Sequence, residues 1–121
     1  MAALKITRRD RDDGVVLALS GEVDMAAEEQ FNRAVREIVD TRPSSRIVLD
    51  FDKLSFIDSS GLRVLIQAHK AAKGAGGALA VASVSERIAR ILHVTAIDTR
   101  IPVFPSVEAA LAAPRESSSA N

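Results

Sequence analysis

Apolar residues recur along this chain with two spacings, every second residue and every third or fourth. The alternation between the two lays out its elements. Leu4-Lys5-Ile6-Thr7-Arg8 alternates apolar and polar side chains, the pattern of a strand with one wet face. Arg11-Asp12-Asp13-Gly14 is a turn, since Asp-Gly is a strong hairpin signal, and the charged cluster from Arg8 to Asp13 is its solvated surface. Val15 to Ser20 then forms a second strand, antiparallel to the first and more buried. Gly21-Glu22-Val23-Asp24 is its exit loop. Asp24 is placed to N-cap a helix in which Glu28 and Glu29 complement the dipole. Phe31, Val35, Ile38 and Val39 form the buried stripe of that helix, and Arg42-Pro43 ends it.

Arg46 to Phe51 is apolar at successive positions, which predicts a central strand covered on both faces. Asp52-Lys53-Leu54 is expected to turn, and Phe56 and Ile57 to return to the core. A second helix is expected from Ser60 to Lys73, with Leu62, Leu65, Ile66 and Ala72 on one face. Gly74-Ala75-Gly76-Gly77 stops it. Ala78 to Val84 is a further apolar strand. Ser85 caps a third helix with Ile88, Ile91 and Leu92 inward and Arg87 and Arg90 outward. Ile101 to Phe104 is a last short strand, and Pro105-Ser106 opens a closing helix through Ala113. The expectation is one α/β domain over residues 1–113, with a mixed, mostly parallel sheet opened by an N-terminal β-hairpin and about four helices. Residues 114–121 have nothing to bury and are expected to be a disordered tail.

The order β-β-α-β-α-β-α-β-α contains two βαβ units that share the central strand. Right-handed crossovers make their strands parallel. The loops after those strands therefore lie along one edge of the sheet, where open α/β sheets carry their sites. The Gly21–Asp24 loop, the Asp58–Gly61 loop and the Val84–Glu86 turn meet there. Asp24 becomes a spatial neighbour of Ser59.

Composition narrows the function. Lysine plus arginine equals aspartate plus glutamate, 16 of each, so the formal net charge is zero. That balance supplies no field for nucleic acid or an anionic membrane. There is no cysteine, so disulfides, thiolate metal sites and cysteine nucleophiles are excluded. His69 and His93 are too far apart for a short metal motif, and no metal or cofactor is expected. No apolar run approaches the ~20 residues of a spanning helix, and a signal-peptide core is lacking. A cytoplasmic location is expected, with the chain a monomer or weak dimer. The absence of Trp and Tyr argues against a base-stacking platform.

Asp58-Ser59-Ser60-Gly61 places two hydroxyls and a carboxylate at a helix start, where unpaired N–H groups favour an anion. An ordinary capped helix start explains the same residues. The functional reading gains from Gly61, because glycine is a poor helix former and leaves bare backbone for a close partner or a kinase. A serine hydrolase would need a base at this edge. His69 lies in mid-helix and His93 at a helix end, both read as surface or edge residues, and no Gly-x-Ser-x-Gly elbow is present. A response-regulator receiver would need an acidic pair after its first strand and a Lys after its last, and neither is found. The Gly74–Gly77 run follows a helix and lacks the Lys-Ser/Thr of a phosphate loop.

Ser20-Gly21-Glu22-Val23-Asp24 after a hairpin, Ile47-Val48-Leu49-Asp50-Phe51, and Asp58-Ser59-Ser60-Gly61-Leu62 together resemble the STAS domain of bacterial anti-anti-sigma factors. The match runs from about Val15 to Ala113, and its specific part is the Asp-Ser-Ser-Gly-Leu segment. The resemblance implies the STAS fold and a non-enzymatic partner switch. The unphosphorylated antagonist binds an anti-sigma factor that is also a serine kinase of the GHKL type, freeing a sigma factor for transcription. Phosphorylation of the motif's first serine, here Ser59, dissolves the complex, and a PP2C-type phosphatase restores it. The acidic residue near the phosphosite corresponds to Asp24. Asp58, Ser60, Gly61 and Arg63 complete the implied contact loop, with Gln67 and Lys70 on the adjoining helix surface. Arg63 stands where the family has a second glycine, and a cation there is suited to pair with phosphate or with an acidic partner. Related STAS modules act instead as regulatory parts of anion transporters, lipid-transport complexes or stress-sensing assemblies. That alternative stays open at this point.

Overall fold

The computed structural model describes residues 3–114. Five strands, β1 (Lys5–Arg11), β2 (Gly14–Val23), β3 (Arg46–Ile57), β4 (Ala78–Ala82) and β5 (Val103–Phe104), lie side by side in chain order. β1 is antiparallel to β2, and every later pair is parallel. The helices are α1 (Glu28–Thr41), α2 (Ser59–Gly74), α3 (Glu86–Val94) and α4 (Val107–Ala112). Successive right-handed crossovers in one direction put α1, α2 and α3 on the same face of the sheet. The main core lies beneath them, built from Phe31 and Ile38 of α1, Val64 and Leu65 of α2, Ile88 and Leu92 of α3, and the inward Leu17, Leu49 and Val81 of the strands. The opposite face carries a smaller cluster in which Ala110 and Leu111 of α4 cover Val16, Val48 and Ala80.

The expected order and type of elements are all present. Their bounds differ in several places. β2 runs on through Gly21, Glu22 and Val23, which were expected as its exit loop, because β3 stays paired with it there. No turn interrupts β3 at Asp52-Lys53-Leu54. The strand runs on to Ile57 because β2 stays paired with it across two register shifts, between Ala18 and Ser20 and between Gly21 and Glu22. Each bulge adds a residue to β3, which bends the strand and increases its twist. In the second, Ser55 Oγ donates to the Gly21 carbonyl at 2.9 Å, and Gly21 itself sits at φ 101°. The bulges also defeat the expectation that Phe56 enters the core: Leu54 and Ile57 are buried, while Phe56 is 41% exposed. β4 ends at Ala82, before a left-handed Ser83. β5 is short because the Ile101 N–H turns back to the Ile97 carbonyl and Pro102 has no N–H to give.

One buried cation fastens the smaller face. Arg46, at the start of β3, is 7% exposed, and its Nη1 donates to the carbonyls of Ala110 (2.7 Å) and Leu111 (2.9 Å). These are carbonyls at the end of α4, which a helix leaves without partners. At the rim, Arg11 Nη1 meets Glu108 at 2.8 Å and holds that carboxyl below its usual range. The expected tail falls, from Arg115 onward, outside the described residues.

Candidate functional site

The site is built where β2 and β3 end together. Their register pairs Val23 with Ile57, so the next residues, Asp24 and Asp58, leave the sheet side by side. The Asp58 N–H donates to the Val23 carbonyl at 3.4 Å, which ties the two exits to each other. Both aspartates are caps. Asp58, in extended conformation, accepts from the Gly61 N–H at 2.9 Å and opens α2. Asp24 accepts from the Ala27 N–H at 3.2 Å. That bond closes a 3-10 turn over Met25–Ala27, so Asp24 does not cap α1 directly, and α1 starts behind an Ala27 with no side-chain cap.

Gly61 has a different role from the one expected of it. It is buried and offers no bare backbone to a partner. A Cβ at this position would lie 2.6 Å from the Val23 carbonyl oxygen and 2.6 Å from Ile57 Cγ1. Glycine is required so that the first turn of α2 can seat against the end of β2. The requirement is internal packing, and it fixes the spacing between the two acidic caps.

The two serines separate by exposure. Ser59, the first residue of α2, is exposed, and Ser60 is half-buried. A helix start leaves its first N–H groups without intrahelical acceptors. Asp58 occupies that of Gly61 with its carboxylate, and its carbonyl accepts the first intrahelical bond, from Leu62. Ser59 therefore sits at the positive end of α2, directly after its cap Asp58 and at the sheet edge where Asp24 leaves β2.

Arg63 is engaged already. Its Nη2 meets Glu28 Oε1 at 3.1 Å, an ion pair that joins the first turns of α1 and α2. Gln67 accepts from Asn32 at 3.4 Å farther along the same groove, while Lys70 is exposed. Two exposed apolar side chains adjoin the edge in sequence: Met25, which the sequence did not mark, is 71% exposed, and Phe56, expected in the core, is 41% exposed. Only the bulges in β3 could have flagged Phe56, and bulges leave no periodic signal.

Neither histidine approaches the edge. His93 is exposed at the end of α3, with Nδ1 3.0 Å from Asp98. His69 is not the surface residue expected; it is half-buried, and burial pushes its pKa down. Among the described residues, no group of three or more His, Asp or Glu could hold a metal ion, and no helix is long and apolar enough to cross a membrane.

The STAS domain family model matches residues 4–110. The chain belongs to the STAS domain family. It is 30% identical over 90 residues to the anti-sigma F factor antagonist of Paenibacillus polymyxa, covering 74% of this chain and 77% of that one. It is 28% identical over 112 residues to the anti-sigma-F factor antagonist RsfA of Mycobacterium tuberculosis, covering 92% and 88%. Among solved structures, an anti-sigma factor antagonist from Mycobacterium paratuberculosis superposes with a TM-score of 0.82 at 26% identity, over 94% of this chain and 96% of that one.

Proposed function

We propose that this chain is an anti-sigma factor antagonist that works as a partner switch, controlled by phosphorylation of Ser59. In its unphosphorylated form it binds an anti-sigma factor of the GHKL serine-kinase type in the cytoplasm and so releases a sigma factor. The kinase then modifies Ser59 and the complex dissociates; a PP2C-type phosphatase resets it. The named relatives support the regulatory role. The observation that carries the switch is the exposure of Ser59 at the first position of α2, directly after its cap Asp58 and at the edge where Asp24 leaves β2.

The physical basis is a difference between tolerating a phosphate in the free chain and burying it in a complex. Phosphorylation adds about −1.5 to −2 charges. The positive end of α2 accepts them in water, so the fold survives. In an interface the same charge must be desolvated beside two carboxylates. A penalty of about 3–4 kcal/mol would weaken binding by some hundreds of times, enough to exchange partners. Met25 and Phe56 supply apolar anchors on either side, and their exposure suits a partner surface that covers the edge.

Incubation with candidate kinases of the same cell and ATP, followed by tandem mass spectrometry, tests the assignment. The expected result is a single phosphate on Ser59. Modification confined to Ser60, or none with any GHKL-type partner that binds the chain, would overturn it.

A further inference from the structure

Away from this edge, a cavity of about 400 Å³ opens between the C-terminal end of α2, β4 and α4. It exists because β5 pairs only with Val81 and Ala82, leaving the Ala78–Ala80 stretch without a strand on that side. Pro102 and Phe104 form its accessible apolar wall, with Leu79 and Ala110 buried behind. Every charged or titratable residue lining it, among the described residues, is basic: Arg46 from β3, His69 and Lys73 from α2, and Arg100 from the segment before β5. Among the described residues, no carboxylate lines it.

Arg46 is committed to the α4 carbonyls. Among the described residues, Lys73 and Arg100 have no ion-pair partner. His69 stands one helical turn before Lys73, and its Nδ1 is enclosed yet makes no hydrogen bond. After burial, the charges of Lys73 and Arg100 are what lower its pKa. The dipole of α2 accounts for a lysine in the last turn. It does not account for Arg100, nor for an imidazole that feels two cations and keeps an enclosed nitrogen without a hydrogen bond. In a chain of zero net charge, this is a local concentration of repulsion that a bound anion would relieve.

We propose that this cavity binds a small amphipathic organic anion. Lys73 and Arg100 hold its compact charged headgroup, the His69 Nδ1 position adds a hydrogen bond, and Pro102 and Phe104 receive its apolar body. The volume lies within the ~300–1,000 Å³ usual for small-molecule sites. The site is separate from Ser59 and does not depend on the partner-switch reading.

Two fluorescent probes of similar shape test it on the full chain: 8-anilinonaphthalene-1-sulfonate, which is anionic, and N-phenyl-1-naphthylamine, which is neutral. The anionic probe should saturate a single site and bind at least about tenfold more tightly than the neutral one. The pair Lys73→Gln and Arg100→Gln should weaken it by about tenfold or more, with circular dichroism and melting unchanged. Ser59→Asp should leave it unaltered. Probe binding should shift the His69 ring resonances and raise the pKa read from their titration. Octanoate should displace the probe at lower concentration than inorganic phosphate does. Equal binding of both probes, wild-type affinity in the double variant, or displacement by phosphate but not octanoate would overturn the proposal.

Discussion

Gly61 and Val23 meet so closely that a Cβ on the glycine would lie 2.6 Å from the valine carbonyl oxygen. This contact couples the end of β2 to the start of α2, and with it the placement of Asp24 relative to Ser59. Gly61→Ala must push backbone against backbone. A loss of about 1–3 kcal/mol is expected, the usual range for overpacking. Urea denaturation would measure it as a lower midpoint with unchanged slope. A midpoint equal to wild type would mean that the two exits are not held by this contact.

The cap and the switch can be separated. Asp58→Ala removes the acceptor for the Gly61 N–H and should cost about 0.5–2 kcal/mol, whereas Asp58→Asn keeps a capping oxygen and should cost little. The asparagine variant also removes one of the two carboxylates beside Ser59. Its phosphorylated form should therefore lose less affinity for the anti-sigma factor than phosphorylated wild type does. Identical losses, measured by calorimetry, would show that Asp58 acts only as a cap.

Phe56 and Met25 are exposed and make no contribution to either core cluster. Phe56→Ser and Met25→Ser should leave stability within about 0.5 kcal/mol of wild type. If they anchor the partner, each should weaken its binding by about tenfold or more. Unchanged affinity in both variants would move the interface elsewhere.

Two pH windows should appear in the stability of the chain. Burial, reinforced by Lys73 and Arg100, holds the His69 pKa below its ordinary value of about 6.5. Between that value and the lowered one, the unfolded chain binds a proton that the folded chain refuses. Stability should therefore be flat above about pH 6.5 and fall as pH drops below it. His69→Gln should flatten this part of the profile. The second window is more acidic. Hydrogen bonds from Arg8 and Arg11 keep Asp10 and Glu108 below the usual carboxylate range. Their support is present above about pH 4 and is lost as pH falls further. Urea midpoints from pH 3 to 8 would resolve both; a profile unchanged by His69→Gln would contradict the first.

Much of the fold was legible because α1 and α2 keep strict helical spacing and β2, β3 and β4 are continuously apolar. The Asp-Gly turn announced the hairpin, and crossover handedness alone brought Asp24 to Asp58. What escaped was set by tertiary pairing. The bulges that carry β3 to Ile57 depend on β2 beside it, so Asp52-Lys53 resembled a turn and Phe56 resembled core. The 3-10 turn over Met25–Ala27 inserts itself between a good cap and its helix without altering the apolar stripe. Arg46 looked like an ordinary strand opener, since its partners at Ala110 and Leu111 lie far along the chain. The role of Gly61 was inverted for the same reason: a missing side chain signals close approach, but the sequence does not say whether a partner or Val23 makes it.

The central claim is that one hydroxyl decides whether the chain holds its partner. Titrating the cognate anti-sigma factor with the chain phosphorylated only at Ser59, and with the unmodified chain, tests it in one calorimetric comparison. The account predicts affinity lower by some hundreds of times for the phosphorylated form, with Ser59→Ala binding like the unmodified chain. Equal affinities for the phosphorylated and unmodified forms would contradict it.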